Sequence, residues 1–189
     1  MKNGVLAGDA LQALAYEIIV NDNFLSSDDK VNAINLLSKA CGKNGMVFGQ
    51  YLDIENENNQ SMDIKKLDDI HNLKTGKLIE CAVMLGQIGS SLESESLNAL
   101  RDFSSKIGLA FQITDDILDV TQIESILGKN KNSDAKNNKL TYMNIMGLDE
   151  AKLKTNKLTD SALNSLNQSN ITNIDKLIEM AKYLIGRES

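Results

Sequence analysis

The sequence predicts an all-α protein. Three observations carry that prediction. There is no proline in the 189 residues, and proline is the residue that breaks helices from within and punctuates turn-rich β proteins. Aromatic side chains make up only 4% of the chain, while Leu, Ile, Ala and Lys abound, a helix-forming composition. Apolar residues also recur at three- and four-residue spacing through most of the sequence. The length suits one core of useful size, so residues 1–189 are expected to form a single helical domain.

Gly4 to Ile19 carries Leu6, Leu11, Leu14, Ala15 and Ile18 at helical spacing. Asn21-Asp22-Asn23 reads as a turn, and Ser26 as the cap of a helix with Val31, Ile34, Leu37 and Cys41 on its apolar side. Gly42 to Gly45 ends or interrupts it, and Met46 to Ile54 forms the next helix. After a polar loop at Glu55 to Ser61, a long helix is expected from about Asp68 to Leu92, with Ile70, Leu73, Leu78, Cys81, Ala82, Leu85 and Ile88 as its apolar stripe. Acidic Asp68 and Asp69 then fall at its N-terminus, where they complement the helix dipole. A helix from Leu97 to about Val120 follows a short break. Thr121 to Asn138, rich in Asn and Lys, reads as a surface loop. Lys139 to Tyr142 and Asn144 to Gly147 start another helix, Leu148 to Glu150 begin the next, which runs from Ala151 to about Asn167, and the last runs from about Ile174 to Ile185.

Composition removes several classes of function. A net charge of −6 argues against nucleic acid or an anionic membrane surface as the main partner, because both select basic patches. No apolar run reaches membrane-spanning length, so no membrane insertion is expected. Cys41 and Cys81 match no disulfide framework or metal spacing and read as reduced, buried residues of a cytoplasmic protein. His71 is the one histidine. With no Cys or His beside it, it lacks the company a metal ligand needs.

The chemistry concentrates in Ile107 to Val120, IGLAFQITDDILDV. The segment is apolar almost all round, as in a buried helix, yet holds Asp115, Asp116 and Asp119. Asp115 and Asp119 share a face, and Asp116 lies about 100° round. Grouped like charges in apolar surroundings are costly. Protonation of one acid relieves the conflict. So does a hard divalent cation, which takes oxygen ligands and bridges them to phosphates. The wet edge of an amphipathic helix is the plainer alternative. A calcium loop is not, because spaced ligands and a mid-loop glycine are missing.

IGLAFQITDDILD resembles the second aspartate-rich motif of the trans-prenyltransferases, the polyprenyl synthetases, and is most similar to the bacterial farnesyl diphosphate synthase group. Other segments agree in order. AGDALQALAYEII resembles a family segment that packs inside the bundle. Gly49, Gln50 and Asp53 match a Gly-Gly-Gln-x-x-Asp signature in which Phe48 replaces the first glycine. A ring there is expected to push the neighbouring helix away or to demand a compensating small residue. Lys74-Thr75-Gly76 precedes the aspartates, and Lys129 and Lys139 fit a basic loop after them, with Met143 where a proline is common.

The resemblance implies an isoprenoid-synthase-type helical bundle that transfers prenyl groups. Asp115, Asp116 and Asp119 would hold Mg²⁺ against a substrate diphosphate. Lys74, Lys129 and Lys139 would contact that diphosphate, and Thr75 and Gln112 would face the allylic cation. The substrates would be an allylic and an isopentenyl diphosphate, and the assembly a homodimer. The family's first aspartate-rich motif, with its arginines, has no counterpart here. The other Asp-Asp pairs, at Asp28 and Asp68, lack a third acid, and the only arginines are Arg101 and Arg187. The expectation is therefore a bundle truncated at its N-terminus, exposing apolar faces and not competent alone. Two alternatives stand beside the enzyme: a non-catalytic subunit of a heteromeric synthase, and an acidic bundle without a ligand.

Overall fold

A computed structural model describes residues 2–57, 59, 61–127 and 141–186; of residues 2, 3 and 122–127 it describes the backbone alone. The described residues form helices and no strand. In chain order these are α1 (Lys2–Asn21), α2 (Ser27–Cys41), α3 (Met46–Glu55), α4 (Ile64–His71), a π-helical turn at Asn72–Gly76, α5 (Lys77–Leu85), α6 (Ser94–Leu127), α7 (Tyr142–Asn167) and α8 (Asp175–Ile185).

Local chemistry explains most boundaries. Asp22 shapes the turn after α1, its carboxylate accepting from the Phe24 and Leu25 amides at 2.7 and 2.8 Å. The Leu25 and Phe24 N–H groups hold that carboxyl below its ordinary range. Ser26 caps α2 by accepting from the Asp29 amide at 3.1 Å. Thr141 and Asn144 form a reciprocal capping box at the start of α7. Gly147, at φ +78°, breaks α7 in two, close to where the sequence separates one helix from the next.

α6 is the spine and packs along α7 for most of its described length. One apolar cluster joins α4, α6 and α7 through Leu67, Ile70, Leu109, Ile113, Tyr142 and Ala151. A second joins α5, α6, α7 and α8 through Met84, Phe103, Ile107, Ala162, Leu166 and Ala181. A third, smaller one ties α2 to α5 through Leu37, Ala40, Cys41 and Cys81. Both cysteines are reduced and buried there, and burial first, then Cys41 and Glu80, raises the Cys81 thiol to about 11.

Five expectations are corrected. The long helix from Asp68 to Leu92 is α4, a π turn and α5. It starts earlier, at Ile64 capped by Asp63, and it stops at Leu85 because Gly86 caps it and Gly89 turns the chain at φ +80°. Asp68 therefore lies inside a helix, not at its N-terminus. Thr121 to Leu127 is helical, continuing α6, while 128–140 lie outside the described residues. α1 does not pack inside a bundle: it rests on α2, and Val5, Leu6, Leu11 and Ile18 each stay more than half exposed. Val31, placed on the apolar side of α2, is 64% exposed, and Ala33 and Ala40 take the buried face with Leu37 and Cys41.

The fifth correction concerns Phe48. Its ring does not push a helix away; it lies against Tyr51, centroids 6.2 Å apart, on a partly exposed edge. The close approach falls one residue later, at buried Gly49, where a Cβ would stand 2.2 Å from the Lys74 nitrogen. On the other side of the π turn a Cβ on Gly108 would meet the Gly76 Cα at 2.9 Å. The π turn is thus clamped between the backbones of α3 and α6, with glycine at each contact.

Candidate functional site

The aspartate-bearing half of α6 emerges from a buried face. Ile107, Ala110, Ile113 and Thr114 are buried, Thr114 donating its hydroxyl back to the Ala110 carbonyl at 2.9 Å. Phe111, Gln112, Asp115 and Asp116 are half-buried at the rim of that face, and Asp119 is exposed. The segment is thus less enclosed than its apolar sequence suggests.

The two adjacent aspartates face different neighbours. Asp115 Oδ2 accepts from Gln112 Nε2 at 3.4 Å, one turn back. Gln112 Oε1 lies 2.9 Å from Nδ1 of His71 on α4. Asp116 Oδ2 accepts from the backbone N–H of Tyr142 at 3.0 Å. That amide opens α7, so the carboxylate sits at a helix N-terminus, where the dipole favours negative charge.

Behind the aspartates lies a second polar layer. The His71 ring is 4% exposed and stacks on Tyr142, centroids 5.5 Å apart. The Tyr142 hydroxyl donates to Asp68 Oδ1 at 2.5 Å, and Lys154 Nζ reaches both Asp68 oxygens at 2.7 and 2.8 Å. The same ammonium stands 5.0 Å from the centre of the Tyr142 ring. Burial, the hydrogen bond to Asp68 and the charges of Asp68 and Asp116 push the phenol far above its ordinary range. Asp68, expected to be an acid at a helix N-terminus, ties α4 to α7.

On the far side, the π turn presents Lys74 and Thr75, both half-buried. Lys74 Nζ is 2.6 Å from Asp53 Oδ2 of α3. The Lys-Thr-Gly element and the Gly49-Gln50-Asp53 signature are therefore one structural unit, joined by an ion pair and a glycine contact. Lys129 and Lys139 lie outside the described residues.

Sequence reasoning singled out Lys74, Thr75, Gln112 and the aspartates. It assigned no role to Asp53, His71, Tyr142 or Lys154. Their partners are distant in sequence, up to 86 residues apart for Lys154 and Asp68. The Gly49-Gln50-Asp53 signature pointed to Asp53, and the rule that a buried polar side chain must find a partner could have pointed to His71.

Two hollows of about 430 Å³ each flank this region, one between α6 and α7 beside Lys106, Leu153 and Lys157, the other beside Asn72, Gly76 and Lys77. Neither is lined by Asp115, Asp116 or Asp119. Among the described residues no three His, Cys, Asp or Glu side chains converge as a metal site. The donor chemistry of Asp115, Asp116 and Asp119 suits a hard cation such as Mg²⁺, which takes oxygen ligands and keeps several waters. No helix among the described residues is long and apolar enough to cross a membrane.

The match to known proteins runs through all of these elements. The chain is 39% identical over 186 residues to farnesyl diphosphate synthase of Micrococcus luteus, covering 97% of itself and 62% of that protein. Its fold superposes on an FPP/GFPP synthase from Zymomonas mobilis with a TM-score of 0.79 and 31% identity, over 95% of this chain and 60% of that one. It also superposes on a Helicobacter pylori geranyltransferase complexed with magnesium and isoprenyl diphosphate, with a TM-score of 0.72 and 32% identity, over 96% and 57% of the two chains. The chain thus spans about three fifths of the length of the relatives it matches. The polyprenyl synthetase family model covers residues 1–181, and with the isoprenoid-synthase helical fold, the chain belongs to that family.

Proposed function

We propose that this chain carries the second metal–diphosphate wall of a prenyltransferase that condenses isopentenyl diphosphate with dimethylallyl or geranyl diphosphate to give farnesyl diphosphate. The observation that carries the proposal is the half-buried Asp115–Asp116 pair, within a family motif, on a helix that also carries Gln112 and packs against the Lys74 turn.

Prenyl transfer breaks an allylic carbon–oxygen bond, leaving a carbocation beside a diphosphate anion. In this reading Asp115, Asp116 and Asp119 hold Mg²⁺. When bound, that ion neutralises charge on the leaving diphosphate. Lys74 adds a point charge to the same anion, as do Lys129 and Lys139. The carbonyl or hydroxyl of Thr75 and the Gln112 amide set fixed dipoles against the positive carbon. The exclusion of water that such a cation demands needs walls on every side. Asp115 and Asp116 are only half-buried and Asp119 is exposed, and in this reading the chain alone is not competent for condensation. The exposed apolar residues of α1 and α3, Leu11, Ile18, Phe48 and Ile54 among them, favour a working form that is a homodimer or a partner of an intact synthase subunit. We place it in the cytoplasm with its substrates.

Two measurements test this. Calorimetric titration of geranyl diphosphate with Mg²⁺ should show binding that Asp115→Ala weakens at least tenfold; an unchanged affinity sinks the metal wall. Radiolabelled isopentenyl diphosphate with geranyl diphosphate and Mg²⁺ should yield little farnesyl product from the 189-residue chain. Robust turnover refutes the need for a further wall, and tight association with an intact synthase subunit without diphosphate binding favours the non-catalytic subunit.

A further inference from the structure

Gln112 bridges two groups with opposite demands. A carboxylate can only accept, so the amide NH₂ must face Asp115, as the 3.4 Å contact to Nε2 has it. The amide carbonyl then faces His71, whose Nδ1 lies 2.9 Å away. Two acceptors cannot share that short contact, so Nδ1 must carry the hydrogen. Turning the amide over would set its carbonyl oxygen against the carboxylate.

We propose that His71, with a hydrogen on Nδ1 turned to Gln112, is a positioning residue of the diphosphate site: it fixes the Gln112 amide and, through it, the Asp115 carboxylate. The inference rests on the reading of Asp115 as part of that site. His71 is suited to the task because its own ring cannot turn freely. It is buried, it stacks on Tyr142, and Tyr142 is tied in turn to Asp68 and Lys154. Partners that orient metal-binding side chains in this way commonly change metal affinity by about 10- to 100-fold when removed.

The chain has a single histidine, so ¹⁵N-histidine labelling gives one unambiguous imidazole spectrum. In the ligand-free chain at neutral pH it should show a protonated Nδ1. A protonated Nε2 with a bare Nδ1 overturns the inference whatever the ligand does. Two variants then separate positioning from packing in titrations with Mg²⁺ and inorganic pyrophosphate. His71→Phe keeps a ring against Tyr142 but has no N–H to offer, and should weaken binding about tenfold. His71→Asn loses the ring but places an amide nitrogen where Nδ1 stood, and should bind within about twofold of the unaltered chain. A residue that only fills space predicts the reverse order, and that order, or full affinity in His71→Phe, refutes positioning. If the unaltered chain binds no Mg²⁺-pyrophosphate, the Asp115 reading fails and this inference with it. Binding by the unaltered chain together with full affinity in His71→Phe confines the failure to His71.

Discussion

Gly49 of α3 lies so close to Lys74 that a Cβ placed on it would stand 2.2 Å from the Lys74 backbone nitrogen and 2.5 Å from its Cα. Real side chains do not approach backbone so closely, and backbone cannot swing aside as a flexible side-chain tip can. The absence of a side chain at Gly49 therefore sets how α3 seats on the π turn, and that seating holds the Lys74–Asp53 ion pair at 2.6 Å. Gly49→Ala should cost about 2–3 kcal/mol by forcing the two elements apart. Thermal unfolding should shift down by several degrees, since about 1 kcal/mol moves the midpoint of a chain this size by about 2–4 °C. A midpoint within a degree of the unaltered chain rules out the close packing.

The ion pair itself makes a sharper prediction. Asp53 holds a negative charge beside the ammonium that the proposed function gives to diphosphate. Asp53→Asn keeps the shape and removes the charge, which should strengthen pyrophosphate binding by about three- to fivefold, the effect of one like charge removed in a partly solvated site. Lys74→Met should weaken it by about tenfold or more, the loss of a charge-assisted contact. Calorimetry at fixed Mg²⁺ reads both. If neither substitution moves the affinity, Lys74 belongs to the scaffold and not to the site.

How much of this was legible follows from the range of each interaction. The helices show in the sequence because their signals are local. Ser26 caps its own α2, proline is absent throughout, and the periods of α6 and α8 lie within a few residues. The aspartate motif was legible for the same reason. The π turn was not, because the poor helix formers Asn72, Thr75 and Gly76 mark a weak point without giving its shape, and the glycines that meet it, Gly49 and Gly108, come from two other helices. His71 was set aside for lack of neighbouring ligands, yet its partner Gln112 is 41 residues away. Asp68 looked like a helix-start acid because the helix start was misplaced by four residues, from Ile64 to Asp68. Its bonds to Tyr142 and Lys154 come from α7 packing across α4. The exposure of Asp119 depends equally on which sides of α6 are covered, and an apolar stretch alone does not say that.

Tyr142 makes stability sensitive to alkali. Its phenol is raised in the fold by burial first, then by the hydrogen bond to Asp68 and by the charges of Asp68 and Asp116. An unfolded tyrosine ionises near pH 10. The neutral phenol is favoured by the fold, so its stabilising effect is complete below about pH 10. Above that the unfolded chain releases the proton while the folded chain keeps it, and stability falls as pH rises. Denaturant midpoints should therefore decline from about pH 10 upward in the unaltered chain. Tyr142→Phe should be less stable at pH 8 by about 1.5–3 kcal/mol, the loss of a hydrogen bond to a charged group. It should also decline less steeply above pH 10. Equal slopes in the two proteins would show that another group governs the alkaline limb.

Magnesium and pyrophosphate should stabilise the chain together and hardly at all separately. Asp115 and Asp116 are adjacent half-buried acids, so pyrophosphate arriving without metal adds a third anion to two like charges and is repelled. Magnesium arriving without pyrophosphate finds one wall of carboxylates and gains too few ligands to displace its water. With both present, each supplies what the other lacks, and the affinities must be coupled reciprocally. A ligand at about 100 times its dissociation constant stabilises by about 2.7 kcal/mol, a midpoint shift of several degrees. The mixture should reach that shift at concentrations where either component alone moves the midpoint by less than a degree. Asp115→Ala should abolish the shift. Asp116→Ala should also lower the midpoint of the unliganded chain, because its carboxylate accepts the Tyr142 amide at the head of α7. A full shift from pyrophosphate with chelator present would show that basic side chains, and not the aspartates, hold the anion.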